Sequence, residues 1–378
     1  MSLVVGIDAS RNRSGGAKAH LLGILRDSDP LAHGIGAVHV WSYDSLLAGL
    51  PDKPWLIKHN PPELERLLFQ QVWWQHRMLP RELQKSGCGI LLNTDAGSVC
   101  RFRPAVTMSR DMLSYEPGEI TRFGFSKARL RLMLLRMVQS QSMRFADGVI
   151  FLTEYAAKVI QQTTGRLPRA TVIPHGVGAA FRERRARAEW PRDGGKPIRC
   201  VYVSNTSMYK HQWVVVRAIG LLRNRGYNVE LSLVGGGTGR AMRLLEREIA
   251  RSDRQHSFVK CLGFVKHDDL PDLLADANLF VFASSCENMP NTLLEAMAIG
   301  LPIACSDRGP MPEVLRDAGV YFDPEDHHSI ARAVETLIKN AELRVELARR
   351  AKSLAAQYSW QRCGEETWSF LKNVSELT

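Results

Sequence analysis

Phe282-Ala-Ser-Ser-Cys-Glu-Asn-Met-Pro-Asn-Thr-Leu-Leu-Glu-Ala-Met-Ala-Ile-Gly-Leu-Pro-Ile303 is the stretch whose reading decides the fold. It joins an apolar run, Leu279 to Phe282, to a helix-like run, Thr292 to Ile299. Two carboxylates, Glu287 and Glu295, stand eight residues apart within it. A strand that ends in a polar loop and restarts as a helix exposes backbone N–H groups at the helix start. Such a place suits an anion. Carboxylates beside it accept hydrogen bonds from hydroxyls. The ligand implied is anionic and hydroxyl-rich, as a nucleoside diphosphate sugar is.

Working outward, the same alternation fills the chain. Strand-like runs are expected at Leu3–Ile7, Ala37–Trp41, Trp55–Lys58, Gly89–Asn93, Ala105–Ser109, Gly148–Leu152 and Thr171–Ile173. Others follow at Arg199–Val203, Val229–Val234, Phe258–Leu262, Asn278–Phe282, Pro302–Cys305 and Val320–Phe322. Helical patterns lie between them, among them Ala17–Arg26, Glu63–Met78, Arg122–Ala146, His211–Arg225, Ala241–Ser252 and Thr292–Ile299. Short buried strands alternating with helices predict parallel sheets covered on both faces. At 378 residues the chain exceeds what one hydrophobic core usually serves. The charged stretch 182–197 ends in Gly and Pro and reads as a linker between two doubly wound domains. Tandem domains of this class bind ligands at the carboxyl ends of their strands.

Composition narrows the class. Hydrophobic residues make 45% and charged residues 24%, as in an ordinary globular protein. Leu3-Val-Val-Gly-Ile7 lacks a basic lead and is too short for a signal core, so it reads as a first strand. No window approaches the ~18 apolar residues of a spanning helix. The cysteines, Cys88, Cys100, Cys200, Cys261, Cys286, Cys305 and Cys363, are scattered without a Cys-x-x-Cys pair. Free thiols in a reducing cytoplasm is the expectation. Residues 1–196 hold 28 Lys or Arg and 17 Asp or Glu, against 22 and 22 in the remainder. The basic excess suggests an anionic partner for the first half, such as a membrane surface or an anionic lipid, with simple solubility as the alternative. Nucleic acid is not expected, because no recognition module or aromatic interleaving accompanies the charge.

The segment with Glu287 and Glu295, together with Pro290-Asn291 and the Glu-Ala-Met-Ala-x-Gly-x-Pro tail, resembles the signature of the family-4 retaining glycosyltransferases. That resemblance implies the GT-B fold, two Rossmann-like domains facing across a cleft. They would span 1–181 on the acceptor side and 198–358 on the donor side, with residues 359–378 crossing back to the first domain. By the resemblance, Glu287 bonds the donor sugar hydroxyls and Glu295 the ribose. Asn288, Met289, Pro290, Asn291, Thr292 and Leu293 supply the donor-contacting backbone. The Glu-Asn-x-Pro-Asn variant resembles a bacterial polysaccharide and lipopolysaccharide mannosyltransferase branch.

Other motifs take meaning from the same resemblance. Lys210 opens a helix after a strand and would neutralise the leaving diphosphate as a point charge. Asn205 stands where the family usually has Arg, leaving one cation where two are usual. Gly235 and Gly236 resemble the glycine-rich edge of the nucleotide pocket, and Gly263, Phe264 and Val265 the segment beside the base; a plain strand end explains either equally well. Gly15 and Gly16, near Arg11, Arg13 and Lys18, read either as a tight turn or, by the resemblance, as a loop that meets the donor phosphates or the acceptor. Arg110 and Asp111 occupy the acceptor-side loop, where Asp111 could orient a hydroxyl or serve only as a cap. His175 replaces an Asn at a turn and reads as structural. Phe123 to Phe145 interleaves Lys127, Arg129, Arg131, Arg136 and Arg144 with Leu and Met. Such a helix can lie on a membrane, but packing of its apolar face on the sheet is the preferred expectation, leaving a basic face for anionic lipid.

No metal-ligand spacing is present, and the resemblance implies a metal-independent reaction with no cofactor beyond the sugar nucleotide. The expected activity moves a hexose, first guess mannose from GDP-mannose, to a lipid-linked or polysaccharide acceptor. A sugar-nucleotide epimerase or hydrolase, and a non-catalytic binding subunit, are the alternatives. The chain is expected in the cytoplasm, peripheral on the inner face of the membrane.

Overall fold

The computed structural model describes residues 2–191 and 195–377. The chain forms two compact α/β units, one up to Gly176 together with the residues from Ser359 on, the other Val177–Tyr358. In the first, β1 (Leu3–Asp8), β2 (Ile35–Trp41), β3 (Leu56–His59), β4 (Ile90–Asn93), β5 (Ala105–Met108), β6 (Gly148–Phe151) and β7 (Ala170–Val172) form a parallel sheet in the order 3-2-1-4-5-6-7. In the second, β8 (Ile198–Val203), β9 (Val229–Val234), β10 (Val259–Gly263), β11 (Leu279–Phe282), β12 (Ile303–Ser306) and β13 (Val320–Phe322) are parallel in the order 10-9-8-11-12-13. Strands β4, β5, β6, β11 and β12 are buried along their whole length. They read as unbroken apolar runs because helices cover both faces. Every strand stands within two residues of its expected place.

The linker expectation fails. Arg187 pairs with Asp272 at 3.0 Å and Asp276 at 2.6 Å, and the Ala186 N–H donates to the Ile299 carbonyl. These bonds bind residues 184–188 to the second unit, so the boundary falls after Gly176 rather than across 182–197; residues 192–194 of that stretch lie outside the described residues. The first unit then carries 24 basic and 17 acidic residues and the second 26 and 22. The basic excess of residues 1–196 is thus divided between the units, at +7 and +4, rather than confined to the first.

Two helix expectations change as well. The pattern over 63–78 breaks into a 3-10 turn, Pro62–Glu65, and helices Leu68–Arg77 and Leu79–Lys85, where Pro62 and Pro80 start new first turns. The helix expected from Arg122 starts at Lys127, capped by the Ser126 hydroxyl accepting from the Arg129 N–H. Its apolar face does not pack on the sheet. Leu130, Met133, Leu134 and Met137 are exposed, while Gln139, Ser140, Ser142 and Met143 are buried. Among the described residues no helix is long and apolar enough to cross a membrane.

The last helix, Trp360–Glu376, packs on Gly15–Asp27, and the Trp368 indole donates to the Ser28 hydroxyl at 2.8 Å. A Cβ on Gly176 would lie 2.1 Å from the Trp360 backbone nitrogen. Backbone cannot yield as a side chain does. Gly176→Ala is therefore expected to destabilise the first unit by about 1–3 kcal/mol, read as a lower urea midpoint with unchanged slope.

Candidate functional site

In a parallel sheet the order of strands reverses once, and loops leaving the two strands at that point splay apart. In the second unit this point lies between β8 and β11. Lys210 follows β8 and Glu287 follows β11, and their side chains form an ion pair there. The pair is largely shielded, with side-chain exposures of 9% and 15%. The loops are stitched together around it. The Ser285 N–H donates to the Tyr209 carbonyl at 2.8 Å, and His211, held at φ 50°, meets the Ser285 hydroxyl at 2.9 Å. The Tyr202 hydroxyl donates to the Lys210 carbonyl at 2.7 Å. Burial first, and the Glu287 charge second, push the Tyr202 phenol well up, so it remains a donor.

Helix Asn291–Ile299 starts at Pro290, with no side chain capping its first turn. Asn288, Met289 and Pro290 are buried and shape the approach to it, Leu293 is wholly buried, and Asn291 and Thr292 are half-buried. Glu295 is buried one turn in, and its Oε1 lies 3.0 Å from His267 Nε2. Glu295 Oε2 is buried with no hydrogen-bond partner among the described residues. The edge of Phe181 meets the His267 ring at 5.2 Å. The hydrogen bond to Glu295 raises the His267 pKa, burial opposes it, and the Glu295 and Asp268 charges reinforce it.

The glycine edge closes the arrangement. Gly235 has φ 111°, and a Cβ there would lie 2.2 Å from the Ser204 carbonyl. Only glycine fits a backbone so placed. Its N–H donates to the Gly263 carbonyl at 2.7 Å, joining the ends of β9 and β10. The Gly236 carbonyl accepts from the Thr206 N–H. The Asn205 amide donates to the Ser207 hydroxyl at 3.2 Å and brings no second cation to Lys210. Phe264 is 87% exposed just past β10, and Val265 is half-buried. Lys210, Glu287, Glu295, Asn205 and the Gly235 and Gly263 segments thus share the carboxyl edge of one sheet.

The remaining expected residues belong to the first unit. Gly15 and Gly16 are the first turn of a helix, not a loop, with the Ser14 hydroxyl accepting from the Ala17 N–H at 3.3 Å. Arg110 donates to Asn12 Oδ1 at 2.5 Å, and burial lowers its pKa to about 10. Asp111 turns away from it, accepting from the Leu113 N–H at 3.0 Å; burial raises its pKa. His175 is buried and stacks on His20, ring centroids 4.9 Å apart. Among the described residues no group of three His, Cys, Asp or Glu is placed to hold a metal.

Residues 183–354 match the glycosyl transferases group 1 family. That match takes in nearly all of the second unit. The chain is 33% identical over 120 residues to O-antigen chain mannosyltransferase B of Escherichia coli, 32% of each chain. It is 30% identical over 244 residues to the D-inositol 3-phosphate glycosyltransferase of Salinispora arenicola, 59% of this chain and 54% of that one. The matches therefore span about a third and about half of those relatives. Sucrose-phosphate synthase of Thermosynechococcus elongatus superposes with a TM-score of 0.79 at 16% identity, covering 100% of both chains. That likeness is one of fold, the GT-B pair of Rossmann-like α/β units.

Sequence reading of the second unit missed His267 and Tyr202. Tyr202 lies in the strand that leads to Lys210, eight residues before it, and His267 is defined by its contact with Glu295, 28 positions on.

Two outcomes follow from these contacts. A shielded ion pair broken on one side leaves an uncompensated charge. Lys210→Ala should cost about 3–5 kcal/mol, and the Lys210→Ala/Glu287→Ala double variant less than the singles summed, in a double-mutant cycle of urea unfolding. The raised His267 pKa sets a pH dependence. The stabilisation by its bond to Glu295 is fully present below the unfolded value of 6.5 and fades as pH rises through the folded value. The stability lost in His267→Gln should be largest below pH 6.5 and shrink as the pH rises above it, measured as the difference in urea midpoint from the unmodified protein.

Proposed function

We propose that this protein is a retaining, metal-independent hexosyltransferase. It moves a hexose from a nucleoside diphosphate to a lipid-linked or polysaccharide acceptor in cell-surface glycan synthesis, at the cytoplasmic face of the membrane. The observation that carries the reading is the Lys210–Glu287 pair at the β8/β11 switch point, beside an uncapped helix start. On donor binding, the pair divides its duties. Lys210 and the helix-start amides meet the diphosphate, and Glu287 turns to sugar hydroxyls. Glu295, oriented by His267, accepts from the ribose through its free oxygen.

In the proposed step the acceptor oxygen bonds to the anomeric carbon as its bond to the diphosphate oxygen breaks. Attack comes from the face the diphosphate leaves, so configuration is kept. The acceptor proton passes to the departing phosphate. Charge grows on the diphosphate in the transition state, and a fixed cation there lowers the barrier without solvent reorganisation. Mannose, carried by GDP, is the first hexose to test, supported by the local similarity to the E. coli mannosyltransferase. Arg110 and Asp111 are assigned to the acceptor side of the first unit.

A melting-temperature screen against nucleoside diphosphates and their sugars tests donor binding, since a ligand that binds only the folded state raises the melting point. Glu287→Gln and Lys210→Met should each lower kcat by roughly 100-fold to 1,000-fold, measured as acceptor-dependent release of nucleoside diphosphate. Initial rates equal to those of the unmodified enzyme would sink the assignment.

A further inference from the structure

The first unit has an inside-out helix. In Lys127–Phe145 the exposed positions Leu130, Met133, Leu134 and Met137 recur at helical spacing, while the inner face carries Gln139, Ser140 and Ser142 beside Met143. Phe125, just before it, is fully exposed. A second segment behaves alike. Leu67, Leu68, Phe69 and Trp73 are exposed on and beside helix Leu68–Arg77. Of sixteen exposed large hydrophobic side chains among the described residues, ten lie in these two segments. Scattered exposed leucines need no explanation, but a concentration of this kind marks a contact surface.

Topology puts both on one side. The connections from β3 to β4 and from β5 to β6 step the same way across the sheet. Crossovers between parallel strands are right-handed, so both helices lie on the same face.

Charge selects the occupant. Residues 120–146 contain six basic and no acidic residues, and residues 66–81 contain three basic and none acidic. Lys127 and Arg131 flank the exposed stripe, and Arg66 and Arg77 flank Phe69 and Trp73. No carboxylate lies within ion-pair distance of these four among the described residues. A second copy of this chain would bring two positive rims together, which like-charge repulsion opposes. An apolar stripe bordered by unpaired cations, with an aromatic anchor, is instead complementary to anionic headgroups above acyl chains. We infer that this face of the first unit seats on an anionic lipid bilayer, with Phe69, Trp73, Phe125, Leu134 and Met137 entering the interface and Lys127 and Arg131 meeting lipid phosphates. This surface is built from residues that play no part in the donor chemistry.

The test is co-sedimentation of the full chain with vesicles of equimolar phosphatidylglycerol and phosphatidylcholine, against pure phosphatidylcholine. The protein should pellet with the anionic vesicles and be released by high salt. Lys127→Gln/Arg131→Gln should weaken partitioning roughly 25-fold, from about 1 kcal/mol per basic residue. Phe69→Ser/Trp73→Ser and Leu130→Ser/Leu134→Ser/Met137→Ser should each release the protein too. All of these side chains are at the surface, so melting temperatures should hold. Protein that stays in the supernatant with anionic vesicles overturns the inference. So do variants that bind as the unmodified chain does, or a solution dimer that the Leu134-containing variant dissociates. The melting shift with nucleoside diphosphate, run on the same variants, should not change. Its absence in the unmodified protein would count against the transferase reading and leave the vesicle result standing.

Discussion

The structure of the second unit turns on one ion pair. Lys210 and Glu287 are 77 positions apart, and they meet only because β8 and β11 are neighbours. Each charge on its own would be costly in so shielded a place. Together they hold two loops at a fixed separation, and the surrounding bonds from Tyr202, Ser285 and His211 protect that geometry. In the function proposed above, an incoming diphosphate sugar offers both partners something better, phosphate for the lysine and hydroxyls for the carboxylate. A site that exchanges one set of charge-assisted bonds for another avoids a bare charge at either stage.

The acid pair named from sequence is less symmetrical than its spacing suggests. Glu287 is tied to a cation, Glu295 to an imidazole whose charge depends on pH. The histidine comes from the segment after β10, one turn beyond the glycine edge, so the Glu295 end of the site is tuned from outside the motif. Asn205 adds no charge. Lys210 is thus the cation on which the proposed leaving-group chemistry rests.

Much of the fold was legible in the residues. The central strands β4, β5, β6, β11 and β12 announce themselves as short apolar runs because they are buried along their whole length, which removes the alternation that makes other strands ambiguous. The linker was not legible. A run such as Arg182-Glu-Arg-Arg-Ala-Arg187 looks like solvated chain until Asp272 and Asp276 are seen beside it. Helix Lys127–Phe145 misled for a similar reason. An amphipathic pattern tells which residues share a face, not which face turns inward, and here Gln139, Ser140 and Ser142 are buried together with Met143.

The sequence by itself determined the two parallel-sheet units, the positions of their strands and the residue types gathered around Glu287 and Glu295. Periodicity and motif spacing are local, and a linear chain carries them. Tertiary structure alone decided that Lys210 pairs with Glu287, that His267 orients Glu295, that the domain boundary falls after Gly176 and that leucines of the first unit face outward. Each of these depends on which distant segments become neighbours, and strand order, not sequence order, settles that.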